Sequence, residues 1–172
     1  MTDQNSDRAT SEALDEASFQ IADLEDEIRA DRLLGELLRD FLQYRITRHD
    51  DDAEDAGRLA RGADYFLREF IIGDRRENIY RIPAERIRQF AGNWYIVRNL
   101  EPNPVELGDI LDGVAAFYAW LESDNRCSSQ LSGSIARACG DRDFYRERID
   151  SFWDIEGDGY SRWAAACPLP TD

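Results

Sequence analysis

The sequence predicts an all-α protein, a helical bundle of six to seven helices in a single domain. Three observations predict it. Apolar residues recur at offsets of three, four and seven along most of the chain, as one buried face of a helix requires. Capping residues stand at the breaks between these runs. No long alternation of apolar and polar residues occurs, so nothing in the chain asks for a sheet. With 172 residues, 42% of them apolar and 11% aromatic, the chain can fill a core without disulfides or a structural metal.

Residues 1–12 read as a flexible acidic tail, residues 13–156 as the helical domain and residues 157–172 as an irregular C-terminal segment. Leu14, Ile21, Leu24 and Ile28 mark a first, acidic helix. Leu33, Leu34, Leu37, Leu38, Phe41 and Leu42 form the broad apolar face of a second. His49-Asp50-Asp51-Asp52 is a loop, and an Asp within it can cap the next helix. Leu59, Ala63, Phe66, Leu67, Phe70 and Ile71 face the core from that third helix, which ends at Gly73. Arg75 to Ile82 is a polar connector, with an extended stretch at Ile79-Tyr80-Arg81-Ile82. Pro83 suits the first turn of a fourth helix, whose inner face is Ile87, Phe90, Trp94 and Val97.

The sharpest local signal is Asn103-Pro104-Val105-Glu106. Asn is a good N-cap, Pro fits the first helical position, and a Glu three residues on can reach back to the cap amide. Leu107, Ile110, Leu111, Val114, Phe117, Tyr118 and Leu121 then line one face of a fifth helix. Ser128 to Cys139 is a shorter helix stopped by Gly140. Phe144, Ile149 and Phe152 mark a last helix over Asp141 to Ile155. Trp163 is the residue placed to pin the remaining segment to the body.

The charge is distinctive. All 21 basic residues are arginine, against 36 carboxylates, for a net charge of -15. Codon bias in a GC-rich genome and adaptation to a salty cytoplasm both produce Arg without Lys. Salt adaptation has a physical rationale: short carboxylates hold water, whereas lysine stems add exposed apolar area. No run of 18 apolar residues appears, so no membrane span is expected. Met1 to Asp7 is polar and acidic, unlike a secretory leader, and the expected compartment is the cytoplasm. Cys127, Cys139 and Cys167 lack C-x-x-C spacing, which argues against a disulfide framework and a zinc site.

Four stretches carry a family texture. They are Phe41-Leu42-Gln43-Tyr44, Tyr65-Phe66-Leu67-Arg68-Glu69-Phe70, Ile82 to Phe90, and Leu111 to Leu121 with its Phe117-Tyr118-x-x-Leu121 end. In order and texture, residues 36–122 resemble the SAM-like N-terminal core-binding domain of tyrosine recombinases and integrases. The resemblance implies a small helical module at the centre of the bundle. In that family the module grips DNA through a basic inner surface, and a separate domain supplies an Arg-Lys-His-Arg set with a nucleophilic Tyr. This chain has no Lys and a single His. Recombinase or topoisomerase chemistry is therefore excluded on residues alone.

The candidate basic site is Arg75, Arg76, Tyr80, Arg81, Arg86 and Arg88. Arginines there would meet phosphates and Tyr80 would stack on a base. A solvated face of local Arg–carboxylate pairs is the competing reading. His49, Asp50, Asp51, Asp52, Glu54 and Asp55 have the ligand types of a cation site, although adjacent loop acids seldom converge on one point. Asp154 to Gly159 is similar to the start of an EF-hand loop, but Ala165 stands where the bidentate Glu must be. Asp109 and Asp112 share a helix face and are chemically suited to acid–base work. No Ser-His-Asp or Cys-His pairing and no phosphate-cradling glycine loop is present. No catalytic residue, cofactor or metal site is thus expected.

The expected role is that of a non-enzymatic protein-interaction or adaptor module, acting with a protein partner or as a homo-oligomer. Exposed aromatics and the helix over residues 104–122 are its expected partner surface. A nucleic-acid-associated accessory protein using the arginine cluster is the alternative, and a metal-dependent enzyme a third.

Overall fold

The computed structural model describes residues 14–170, so the expected tail over residues 1–12 lies outside the described residues. Within them every regular element is helical. A 3-10 turn, Glu16–Phe19, opens the fold. After it come α1 (Leu24–Arg48), α2 (Ala53–Asp64), α3 (Glu85–Gln89), α4 (Tyr95–Arg98), α5 (Pro104–Ser123), α6 (Ser129–Cys139), α7 (Arg142–Trp153) and α8 (Tyr160–Ala165). A π-helical segment, Tyr65–Asp74, continues α2, and another, Phe90–Trp94, joins α3 to α4. The all-α bundle is as the sequence predicts. Among the described residues no helix is long and apolar enough to cross a membrane.

Side-chain caps set several boundaries. Asp23, Asp52, Asn103 and Ser128 each accept a hydrogen bond from the backbone amide three residues on, fixing the starts of α1, α2, α5 and α6. At α5 the cap is built differently from the expected reciprocal box. Glu106 does not return to the Asn103 amide. It accepts from the Tyr95 hydroxyl at 2.6 Å, and that hydroxyl oxygen accepts from the Asn103 amide at 3.3 Å. A tyrosine from α4 thus completes the box and ties two helices together.

α5 is the axis of the molecule. It packs against α2 on one side and α6 and α7 on the other, and buries Leu107, Ile110, Leu111, Val114, Phe117, Tyr118, Trp120 and Leu121. The approach of α2 is glycine-dependent. A Cβ on Gly62 would lie 2.7 Å from the Asp109 carbonyl oxygen, and one on Gly113 would overlap the Leu59 carbonyl oxygen. Phe41 of α1 meets Phe117 edge-on at 5.5 Å and tilts against Trp120 at 5.6 Å. The two π segments face each other through rings: Phe66, Phe70 and Tyr65 gather round Phe90 at 5.1–6.1 Å.

Three expectations are corrected. First, no break separates a first and second helix at the N-terminal end, because residues 24–48 form one continuous helix, α1. Leu14 and Phe19 do enter the core, but Leu24 and Ile28 point to solvent. Second, the connector after Asp74 is a turn rather than an extended stretch, with Arg76 at φ 54° and Ile79, Tyr80 and Ile82 buried. Third, the segment over residues 157–172 is not wholly irregular. It carries α8, and Trp163 buries its ring against Phe152 at 5.0 Å while its Nε1 donates to the Arg148 carbonyl at 3.2 Å.

Candidate interaction surface

The arginine cluster does not form an open cationic face. Arg75 bonds to Asp74 at 2.8 Å and to the Pro170 carbonyl at 3.0 Å. Arg76 reaches back to Glu27 on α1 at 3.0 Å. Arg81 pairs with Glu16. Arg86 grips Glu77 with two nitrogens, at 2.6 and 2.8 Å, and donates a third bond to Gln89. Arg88 pairs with Asp141 at 3.0 Å and lies 3.8 Å over the Phe144 ring. Tyr80 is in the core, its hydroxyl bonded to the Leu14 carbonyl and its ring edge-on to Phe19. A base could stack on that ring only after local unfolding.

The acidic candidates are similarly engaged. Asp51 pairs with Arg45 at 2.6 Å, Asp52 caps α2, and His49 faces the Tyr44 hydroxyl at 3.1 Å. Arg58 holds both Asp109 and Asp112, at 3.0 and 3.5 Å, and Arg142 holds Asp112 from the other side at 2.7 Å. Among the described residues no three His, Cys, Asp or Glu side chains are grouped to hold a metal ion. The three thiols are unpaired. Burial pushes Cys139 up to about 12 and raises Cys127 and Cys167 as well, so they remain protonated and poorly nucleophilic near neutral pH.

Of the expected partner surface, Trp153 and Tyr160 are exposed aromatics and Val105 is exposed on the helix over residues 104–122, but the aromatics of that helix are not accessible. The helix over residues 104–122 is the centre of the fold, and Phe117, Tyr118 and Trp120 are buried in it. Exposed apolar side chains lie in three places: Val97, Leu100 and Val105 around the start of α5, Trp153 and Tyr160 at the C-terminal end, and the outer face of α1, where they share one helix. Leu24 and Ile28 are 63% and 62% exposed, and Ile46 is 38% exposed in the last turn of the helix. Leu42 is half-buried between them. Midway, a Cβ on Gly35 would meet nothing within 4 Å.

From Gly35 to Leu42 this face borders a shallow groove against α2, lined also by Leu38, Arg39, Ala60, Arg61 and Arg68. The Arg39 and Arg61 guanidinium groups make no ion pair or hydrogen bond among the described residues, unlike the arginines of the 75–88 cluster. Arg68 closes the groove by bonding to Asp64 and Asp31.

This surface was partly legible. Leu24 and Ile28 are conspicuous in the sequence as helical apolar positions. Only the path of α1 reveals that they miss the core. No protein-family model, curated protein or solved structure matches this chain. The likeness to the recombinase core-binding module stands on its sequence texture alone.

Proposed function

We propose that this chain is a non-enzymatic protein-binding module, an adaptor or accessory subunit that engages its partner through the outer face of α1. The observation that carries the reading is the exposure of Leu24, Ile28 and Ile46 on one face of one helix. Full burial of one such side chain is worth roughly 1.5–3 kcal/mol. Several of them left in water along one face of a helix, on a surface this ionic, are best accounted for by an occupant. The nucleic-acid alternative draws little support, since Arg76, Arg81, Arg86 and Arg88 are already paired with this chain's own carboxylates. The enzyme alternative draws little either, with Asp109 and Asp112 held by arginines and the thiols buried or half-buried.

The test is a variant carrying Leu24→Asn, Ile28→Asn and Ile46→Asn. Leu24 and Ile28 are mostly exposed and Ile46 partly so, so its circular dichroism should match the wild type and its thermal midpoint should fall by only a few degrees. Sedimentation for self-association and residue-specific cross-linking in the native cell for other partners should both register the wild type and lose it in the variant. A wild type that associates with nothing, or a variant that associates equally well, overturns the reading.

A further inference from the structure

The outer face of α1 reads Leu24, Ile28, Asp31, Gly35, Arg39, Leu42, Ile46, in steps of four, three, four, four, three and four. At 100° per residue all seven fall within about 80° of one another, a single stripe. The stripe is its own complement when reversed about Gly35. Leu24 then stands opposite Ile46, Ile28 opposite Leu42, Asp31 opposite Arg39, and Gly35 opposite itself. We infer that the occupant of this face is a second copy of the chain, docked antiparallel through α1 across a two-fold axis at Gly35. A two-fold interface requires this reciprocity: if residue i of one copy meets residue j of the other, j must also meet i. The inference rests on the protein-binding reading and names its partner.

Three features of the stripe agree. Gly35 is not needed by the chain's own fold, since a Cβ there would meet open space. Glycine inside a helix costs about 0.5–1 kcal/mol relative to alanine. At a helix crossing it lets two backbones approach. Arg39 makes no ion pair among the described residues of its own chain. The Asp31 side chain is 50% exposed and bound to Arg68 on one side only, so it can accept the arginine of the other copy. Finally, residues 1–13 contain only Met1, Ala9 and Ala13 as apolar side chains, too little to cover four aliphatics.

The spacing also sets the geometry. Two successive eleven-residue steps, Leu24 to Gly35 and Gly35 to Ile46, repeat at about 3.67 residues per turn. That is close to the period of a straight helix, so the pair needs little supercoiling. The stripe is about 33 Å long and about 10 Å wide. It covers on the order of 300–400 Å² per copy before α2 contributes, below the roughly 800 Å² per partner of a standard specific interface. The dimer is therefore weak, and the net charge of -15 on each copy opposes it until salt screens the repulsion.

Sedimentation equilibrium of the full chain in about 0.15 M and about 1 M KCl tests this. The expected result is a monomer–dimer equilibrium that tightens with salt. Gly35→Glu should raise the dissociation constant at least about tenfold by placing bulk and like charge on the axis. Its thermal midpoint should not fall, because Cβ has room, Glu is a better helix former than Gly, and the new carboxylate's attraction to Arg39 one turn on offsets its repulsion from Asp31 one turn back. Gly35→Cys should oxidise readily to a covalent dimer, whereas Ala53→Cys, exposed at the start of α2, should not. A wild type that stays monomeric at its highest soluble concentration in both salts overturns the inference, as does a dimer that Gly35→Glu leaves intact. If the wild type is monomeric but its cross-links to another protein vanish in the triple asparagine variant, the dimer falls and the protein-binding reading stands.

Discussion

Gly113 and Gly133 both lie inside helices, for opposite physical reasons. Gly113 is where the backbones of α2 and α5 touch, and any side chain there would overlap the Leu59 carbonyl and crowd the Ala63 amide. Gly133 sits on α6, where a Cβ would have only the Arg137 guanidinium at 3.6 Å, an ordinary contact. The same substitution should therefore have opposite signs. Gly113→Ala should destabilise by about 1–3 kcal/mol or more, the range for overpacking in a core. Gly133→Ala should stabilise by about 0.5–1 kcal/mol through helix propensity. Urea midpoints of the two variants against wild type check this, and a neutral Gly113→Ala would mean that α2 and α5 cross with room to spare. Neither role is readable from the sequence, because both glycines lie inside helical segments with no local signal to mark them. What distinguishes them is a neighbour on another helix.

Most helix boundaries set by a local interaction were legible, the Asp23 cap of α1 being the exception. The Asn103 cap and Pro104 start α5, Ser128 starts α6, and an Asp of the acidic loop starts α2, as their side-chain chemistry dictates. The path of α1 was not legible, because Leu24 and Ile28 continue a helical pattern whether or not a core lies beneath them. The π segments left no signal either, since an extra residue per turn is selected by the fit of Phe66, Phe70 and Phe90 across two helices. α8 was obscured by the Gly and Pro around it. It is held by tertiary contacts: Trp163 packs on Phe152 under the Arg148 guanidinium at 3.9 Å, and Asn93 donates to the Cys167 carbonyl at 2.7 Å. A six-residue helix has little stability of its own. Trp163→Ala should cost about 3–5 kcal/mol and raise amide exchange across residues 160–167 by at least about tenfold, while amides in the centre of α5 change less. Hydrogen exchange read by mass spectrometry would show this, and unchanged exchange over residues 160–167 would mean that Trp163 does not hold the segment.

At the scale of the whole molecule, the fold class comes from apolar periodicity and the surface from charge. The candidate face needs both, since its palindrome is written in the sequence but acquires meaning only when α1 is seen to turn it outward. The surface also sets a response to salt. Most arginines are neutralised locally by carboxylates at 2.6–3.7 Å, and the exposed pairs among them, such as Arg32–Glu36 and Arg88–Asp141, contribute about 0–1 kcal/mol each. Because their partners are in contact, screening weakens them little. The excess of 15 negative charges is unpaired and acts over longer distances. As KCl rises from about 0.1 M to about 1 M, the Debye length falls from about 10 Å to about 3 Å, and this longer-range repulsion fades first. Repulsion opposes the compact state more than the expanded one, so folding stability should rise with KCl. A gain of about 2 kcal/mol would lift the thermal midpoint by roughly 4–8 °C for a chain of this size. The measurement is a thermal melt series in KCl on the Gly35→Glu variant, so that salt-driven dimerisation does not contribute. A steady rise toward molar KCl supports a surface adapted to salt. A flat series would show that local pairing already cancels the excess, and would leave arginine in place of lysine to codon usage alone.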